Sequence, residues 1–113
     1  MKVSVMNCLM VICNVPDETT ATHIAHVLVQ ERLAACVNIL PACRSVYRWE
    51  GALQESSELP LLIKTTQACY ARLQQRLLEL HPYDVPEIIA LPVAQGLPAY
   101  LTWVSQCVLS SDD

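Results

Sequence analysis

The chain has 113 residues, of which 53% are hydrophobic and only 16% are charged, and its formal net charge is −4. Its seven Lys and Arg residues are scattered singly, which excludes the basic surface that a nucleic-acid-binding protein needs. No apolar run approaches the roughly 20 residues of a membrane span, and the length favours a single domain, residues 1–113.

The first predicted elements are a strand and a helix. Val3–Val15 is rich in β-branched and apolar residues, a pattern typical of a central strand that is covered on both faces. Asp17 is a good helix N-cap, and the helix is predicted to run to about Arg32. Its apolar stripe comprises Ala21, Ile24, Ala25 and Leu28, with the aliphatic stem of Arg32 at its end.

A long hairpin follows the first helix. Strand character returns at Ala35–Leu40, pauses at Pro41 and resumes over Arg44–Glu50. Gly51, one of only two glycines, marks the turn. The returning strand is predicted from the alternation of Leu59, Leu61 and Ile63 with Glu58, Pro60 and Leu62.

Two more helices and one strand complete the chain. Thr65 or Thr66 is predicted to cap the second helix, which must end before Pro82 because the residue before a proline resists the α conformation. Ile88–Val93 is predicted to be a short strand. The last helix is predicted from Pro98, a first-turn proline, and its apolar positions are Leu97, Tyr100, Leu101, Val104 and Val108.

The order of elements is therefore β-α-β-β-α-β plus a C-terminal helix, an α+β, ferredoxin-like arrangement. Residues 110–113 are predicted to form a loose tail. Right-handed crossovers place both main helices on one face of a four-stranded sheet. The strands are apolar on both sides, so the second face needs a cover, and the low charge content points the same way. The sequence predicts association with copies of itself; a well-buried monomer is the alternative.

A candidate metal site follows from this topology. The first and last strands are antiparallel neighbours, so Cys13 at the end of the first lies beside Glu87 at the start of the last, just after His81. The hairpin tip at Trp49–Gly51 points to the same end. Cys, His and Glu are a plausible ligand set for a borderline or soft divalent ion such as copper or zinc.

Other ligand sets are weaker. Cys8 and Cys13 fall on opposite strand faces roughly 16 Å apart, and no C-x-x-C occurs. His23 and His26 lie opposite the apolar stripe of their helix, which predicts solvated surface. The six cysteines lie mainly in apolar, strand-like segments, where reduced Cys behaves as a small hydrophobe, and this favours a reducing, cytoplasmic location.

Each candidate ligand also has a structural interpretation. Cys13 can be a core thiol, and His81 can finish the second helix. Glu87 can pair across an interface with Arg44, Arg48 or Lys64. Cys13 and His81 could also form a nucleophile–base pair, but no third orienting group or oxyanion hole is identifiable, so the sequence favours a protein that is not an enzyme.

Several blocks in this order resemble the CutA divalent-cation tolerance family, from about Val11 to Trp103. The resemblance implies a ferredoxin-like subunit in a homotrimer whose long hairpin strands pair between neighbours. The blocks are Asn14–Asp17, Arg32–Pro41, Ser45–Gly51, Leu62–Thr65, His81–Tyr83 with Pro86–Ala90, and Tyr100–Trp103.

The resemblance also implies a function. It places Cys13 and His81 at positions associated with Cu(II) binding, with Glu87 nearby, and other divalent metals are not excluded. Leu80 stands where members can carry a second histidine before Pro-Tyr. The resulting expectation is a cytoplasmic homotrimer involved in metal tolerance, with no nucleic-acid or membrane partner and any other protein partner unknown. The alternative is a trimeric signalling or scaffold module, similar to PII-type regulators, that binds a small molecule or a protein.

Overall fold

The structure is a computed structural model that describes residues 7–110. It contains five strands and three α-helices in the order predicted, with the predicted second strand divided into two. A short 3₁₀ turn, Gln67–Cys69, precedes the second helix. The elements are β1 Cys8–Val15, α1 Glu18–Gln30, β2 Cys36–Ile39, β3 Cys43–Trp49, β4 Ala52–Thr66, α2 Tyr70–Leu80, β5 Ile88–Pro92 and α3 Pro98–Cys107.

The five strands form an antiparallel sheet in the order β2-β4-β1-β5, with β3 paired to the first half of β4. β4 is long enough to pair twice on one edge: Leu61–Lys64 faces β2, and Ala52–Glu58 faces β3. The α+β, ferredoxin-like prediction is confirmed, including the long hairpin and the C-terminal helix. The predicted loose tail lies, apart from Ser110, outside the described residues.

Two prolines mark the break between β2 and β3. Pro41 lies in the break itself, and Pro60 lies opposite it in β4. The carbonyl of Pro60 accepts a hydrogen bond from the Leu40 N–H at 3.0 Å, so the side of Pro60 that lacks an N–H faces the break. The missing donor therefore interrupts the ladder only at the break, opposite Leu40, and leaves the pairing of β4 with β1 intact. The β3–β4 hairpin begins beyond this break.

The core lies between the sheet and helices α1 and α2. In β1, Val11, Cys13 and Val15 are fully buried, whereas Met10 and Ile12 on the other face are only half-buried. We call that second face, which carries Ile12 and Leu62, the open face. The core side chains include Ile24, Leu28, Leu61, Ile63, Leu73 and Leu77.

The prediction that β1 is covered on both faces is thus only partly met within one chain. Helix α3 covers one end of the open face, where the Cys8 thiol lies 3.7 Å from the Leu101 carbonyl. Cross-strand neighbours Ile12, Leu62 and Ile89 continue the open face toward its other end, and Ile89 is exposed. Among residues 7–110, no helix combines the length and the apolarity needed to cross a membrane.

The local helix signals are confirmed. Asp17 caps α1 by accepting a hydrogen bond from the Thr20 N–H at 2.8 Å. Thr66 accepts one from the Cys69 N–H at 3.3 Å and so caps the 3₁₀ turn that leads into α2, rather than α2 itself. Helix α2 ends at Leu80, two residues before Pro82, as the proline requires.

Helix α1 is shorter than predicted, ending at Gln30 rather than at about Arg32. Arg32 adopts a left-handed backbone conformation, with φ of 62°, and does not extend the apolar stripe. Its guanidinium donates to the carbonyl oxygens of Gln106 and Cys107 at 3.2 and 3.3 Å. Arg32 therefore satisfies carbonyls at the C-terminal end of α3, a long-range role that helical periodicity does not reveal.

Candidate functional site

The antiparallel pairing of β1 with β5 brings distant parts of the chain together. Cys13 pairs with Ile88, so the end of β1 lies beside the residue that follows Glu87. Glu58 is the last residue of β4 before the segment that pairs with β1. The predicted convergence at this end of the sheet is therefore confirmed as a backbone arrangement, with Glu58 as an additional member.

His81 is buried, with 7% of its surface exposed, and both of its ring nitrogens are engaged. Nδ1 accepts a hydrogen bond from the Tyr83 N–H at 3.1 Å, so it carries no proton. Nε2 lies 2.7 Å from the main-chain oxygen of Asn14 and must therefore donate to it. The imidazole is held as the neutral Nε2–H tautomer, and its ring contacts that of Tyr83 at 4.7 Å between centroids.

Cys13 is fully buried on the helix-covered face of β1, beside Val11 and Val15. Burial, together with the negative charges of Glu87 and Glu58, raises the pKa of its thiol from 9.0 to about 12. The thiol is therefore protonated at neutral pH, and it does not point into the open face.

Two carboxylates meet on the open face, at the side chain of Asn14. The Asn14 amide nitrogen lies 3.5 Å from a carboxylate oxygen of Glu58 and 3.3 Å from one of Glu87. Glu58 is only 8% exposed and also accepts a hydrogen bond from the Tyr83 hydroxyl at 3.1 Å. Within residues 7–110, the ion pairs join Arg44 to Glu55 and Arg76 to Glu31 and Glu79, so neither Glu58 nor Glu87 takes part in one.

These groups border an open cleft of about 630 Å³ between the hairpin and the loop that joins α2 to β5. Burial and the hydrogen bond to Glu58 raise the pKa of the Tyr83 hydroxyl to about 12, so it remains a donor over the whole physiological range. The lining residues are Ser45, Val46, Tyr47, Trp49, Glu58, Tyr83, Asp84, Val85 and Glu87.

The structure does not bring the three ligands predicted from the sequence together at one point. Asn14 links His81 and Glu87, through its carbonyl and its amide respectively, whereas Cys13 lies behind the sheet. No group of three His, Cys, Asp or Glu side chains that could hold a metal occurs within residues 7–110. One subunit alone therefore does not form the predicted three-ligand site, and its assignment remains a prediction.

The other metal candidates behave as predicted. His23 and His26 are exposed on α1. Cys8 and Cys13 occupy opposite faces of β1, and none of the six cysteines, all within residues 7–110, is in a disulfide.

Asn14, Glu58, His81, Tyr83 and Glu87 are linked by hydrogen bonds and form a polar cluster at this end of the sheet. Three of its members, Asn14, Glu58 and Tyr83, were not predicted as site residues. A signal existed for Asn14, which interrupts an otherwise apolar strand, and for Glu58, a charge at the edge of an apolar alternation. The burial of Glu58 depends on the distant loop that carries Tyr83. No spacing in the sequence reveals that contact.

Alkylation of Cys13 in the native protein is expected to be very slow. A pKa of about 12 instead of 9.0 leaves about a thousandfold less thiolate, and burial blocks access as well. The measurement is iodoacetamide labelling at pH 7.5, quantified for each cysteine by peptide mass spectrometry. The same protein unfolded in guanidinium provides the control rate for Cys13. Rapid labelling of native Cys13 would contradict the buried thiol and would favour a cysteine-dependent enzyme.

Comparisons with known proteins cover nearly the whole chain. A family profile described as "CutA1 divalent ion tolerance protein" matches residues 9–107. The divalent-cation tolerance protein CutA of Thermus thermophilus is 52% identical over 96 residues, which are 85% of this chain and 93% of that protein. The chloroplastic protein CutA of Arabidopsis thaliana is 46% identical over 85% of this chain, which spans 53% of that protein. A solved structure of the T. thermophilus protein matches with a TM-score of 0.88 at 50% identity, covering 89% of this chain and 98% of that one.

Proposed function

We propose, from the premise that the chain belongs to the CutA1 divalent ion tolerance family, that it is a homotrimeric protein that binds a divalent cation and is not an enzyme. Cu(II) is the first metal to test. The observation that carries the proposal is the pair of carboxylates at Asn14, one of them buried, neither paired with a cation within residues 7–110.

A buried carboxylate is costly unless positive charge compensates it. The hydrogen bonds from Asn14 and Tyr83 are neutral and satisfy the oxygens of Glu58 without balancing its charge. A divalent cation supplies that charge, and carboxylate with imidazole is a donor set that suits copper and zinc. Glu87, Glu58 and His81 are the residues placed to hold it, and the imidazole can bind only after releasing one of its two hydrogen bonds.

The homotrimer is supported by the apolar surface that one chain leaves uncovered. The open face carries Ile12, Leu62 and Ile89 side by side, and the hairpin exposes Val46 and Leu53. The outer edges of β3 and β5 have no strand partner within residues 7–110. Apolar patches and free strand edges of this kind are normally covered by association.

The same features support the remaining parts of the proposal. Absence of catalysis is supported by Cys13, the nucleophile of the alternative enzyme hypothesis, which is buried and protonated. A cytoplasmic location is supported by the six cysteines, none of which is in a disulfide, because reducing compartments keep thiols in that state. Fractionation of the producing cells tests the location.

Copper affinity is expected to fall by about tenfold or more in His81→Ala and in Glu87→Gln, because each change removes a donor from the cluster. Calorimetric titration of Cu(II) into the reduced protein measures this, and Cys13→Ala is the variant that tests the thiol. His23→Ala is the matched control, since His23 is exposed on α1 outside the cluster. Circular dichroism shows whether each variant keeps its fold.

Two results would overturn this assignment. Saturable binding that survives both His81→Ala and Glu87→Gln would place the metal elsewhere. Stabilisation by ATP in a thermal-shift assay, with none by any metal, would favour the PII-like regulator. The cleft opposes that alternative, because Glu58, Asp84 and Glu87 line it and no Lys or Arg from residues 7–110 does.

A further inference from the structure

A thiol and an amine meet on the open face, at the end away from the polar cluster. Cys36 in β2 and Lys64 in β4 are direct cross-strand partners, and the Lys64 ammonium nitrogen lies 3.8 Å from the Cys36 sulfur. The same ammonium group donates to the side-chain oxygen of Asn38, the next residue of β2 on this face. Lys64 is therefore held against the edge strand β2, roughly 20 Å along β4 from Glu58.

The charge and the thiol of this pair are not used elsewhere in the described part of the chain. None of the ion pairs within residues 7–110 includes Lys64. Cys36 is not in a disulfide. Lys2 and Lys64 are the two lysines of the sequence, so the one lysine within residues 7–110 is the one that contacts a thiol.

The position of the pair allows a small oxidant to reach it. Cys36 and Lys64 are both half-buried, at the end of the open face that α3 of the same chain covers. Burial and the proximity of Cys36 raise the pKa of the Tyr100 hydroxyl on α3, which places that helix beside the same thiol. A reaction between two groups already in contact requires no ligand to fit between them, only access for a co-reactant little larger than water.

A thiol that lies against an amine can be oxidised to a covalent cross-link. Hydrogen peroxide transfers one oxygen atom to a thiol, which becomes a sulfenic acid while the peroxide is reduced to water. A sulfenic acid then condenses with a neighbouring nitrogen to give a sulfenamide. We propose that Cys36 and Lys64 form such a reversible sulfur–nitrogen cross-link when the protein meets peroxide.

The second step begins once the Lys64 ammonium group has released its proton to solvent. The nitrogen lone pair attacks the sulfur of Cys36, the S–N bond forms, the S–O bond breaks, and the hydroxyl leaves as water with one proton of the amine. One peroxide is thus reduced and two waters are released. A dithiol supplies the two electrons that restore the thiol and the amine. The cross-link ties the edge strand β2 to β4 and removes a positive charge from the open face, and it involves no residue of the proposed metal site.

Peptide mass spectrometry of the intact protein treated with hydrogen peroxide at about pH 8 provides the test, with a chelator present to prevent oxidation by copper. We expect a cross-linked pair of tryptic peptides about 2 Da lighter than the sum of the free peptides, because two hydrogens are lost. Cleavage after Lys64 should be lost with it, and dithiothreitol should restore both. Cys36 that stays reduced, or that is oxidised while Lys64 remains free, would overturn the proposal.

Three variants and an unfolded sample locate the reaction. Lys64→Arg keeps the positive charge but replaces the amine with a weakly nucleophilic guanidinium, so it is expected to abolish the cross-link, as is Cys36→Ser. Cys43→Ser is the matched control: Cys43 is also half-buried, lies in the same tryptic peptide and contacts the Ser45 hydroxyl. This variant should form the cross-link normally.

Protein oxidised in guanidinium should form at least tenfold less of the cross-link, because unfolding separates β2 from β4. A cross-link that persists in Lys64→Arg, disappears in Cys43→Ser, or forms equally well in the unfolded chain would contradict the assignment to Cys36 and Lys64.

Discussion

Replacing Leu62 with glutamate is expected to reduce the mass of the protein in solution from about three times 12.6 kDa to that of a single 12.6 kDa chain. Leu62 lies at the centre of the open face, opposite Ile12 in β1 and Asn38 in β2. In a homotrimer that covers this face, the glutamates would be buried without partners, at a cost of several kcal/mol each. Size-exclusion chromatography with light scattering measures the mass.

Leu78→Glu is the matched control for this experiment. It makes the same substitution at a leucine that is 48% exposed on α2, away from the sheet. The subunit fold should persist in both variants, because Leu62 is only half-buried in one chain, and far-UV circular dichroism checks this. A Leu62→Glu protein that stays trimeric would show that the open face is not the interface. An unmodified protein of 12.6 kDa would refute association altogether.

Leu77→Ala is expected to lower the free energy of unfolding by about 2–5 kcal/mol, the usual cost of truncating a buried leucine and leaving a cavity. Leu77 is fully buried in the core between α2 and the sheet. The midpoint of guanidinium denaturation measures the loss. All samples need the same protein concentration, since the stability of an oligomer depends on it.

The neighbouring Leu78→Ala provides the control, with an expected change within about 0.5 kcal/mol. The two leucines are adjacent in one helix, so helix propensity and chain composition change equally in the two variants. A cost for Leu77→Ala no larger than that for Leu78→Ala would contradict the placement of the core under α2.

The elements of the fold were predictable because their signals are local. Asp17 and Thr66 cap helices with bonds to residues three positions away, and Pro82 acts on its immediate predecessors. The end of α1 was predicted wrongly because Arg32 is engaged by α3, which lies more than 70 residues further along the chain. Long-range contacts of that kind produce no periodic pattern in the sequence.

The candidate site, too, could be predicted only in part. The predicted topology was enough to place Cys13 and Glu87 at the same end of the sheet, and the pairing of β1 with β5 confirms this placement. The alternation of β1 also contained the information that Cys13 and Asn14 face opposite sides, although the prediction did not use it. The engagement of both nitrogens of His81 could not be predicted, because one partner is a main-chain oxygen 67 residues away.

The paired prolines at the break between β2 and β3 have a consequence for how this chain can be altered. Because the hydrogen-bond ladder starts afresh beyond Pro41 and Pro60, the pairing of β2 and β1 with the second half of β4 is independent of the length of the hairpin. Residues can therefore be grafted at the Glu50–Gly51 turn, in equal numbers on each strand, without shifting any core side chain to the wrong face. The length of the hairpin can therefore change while the register of the rest of the sheet stays the same.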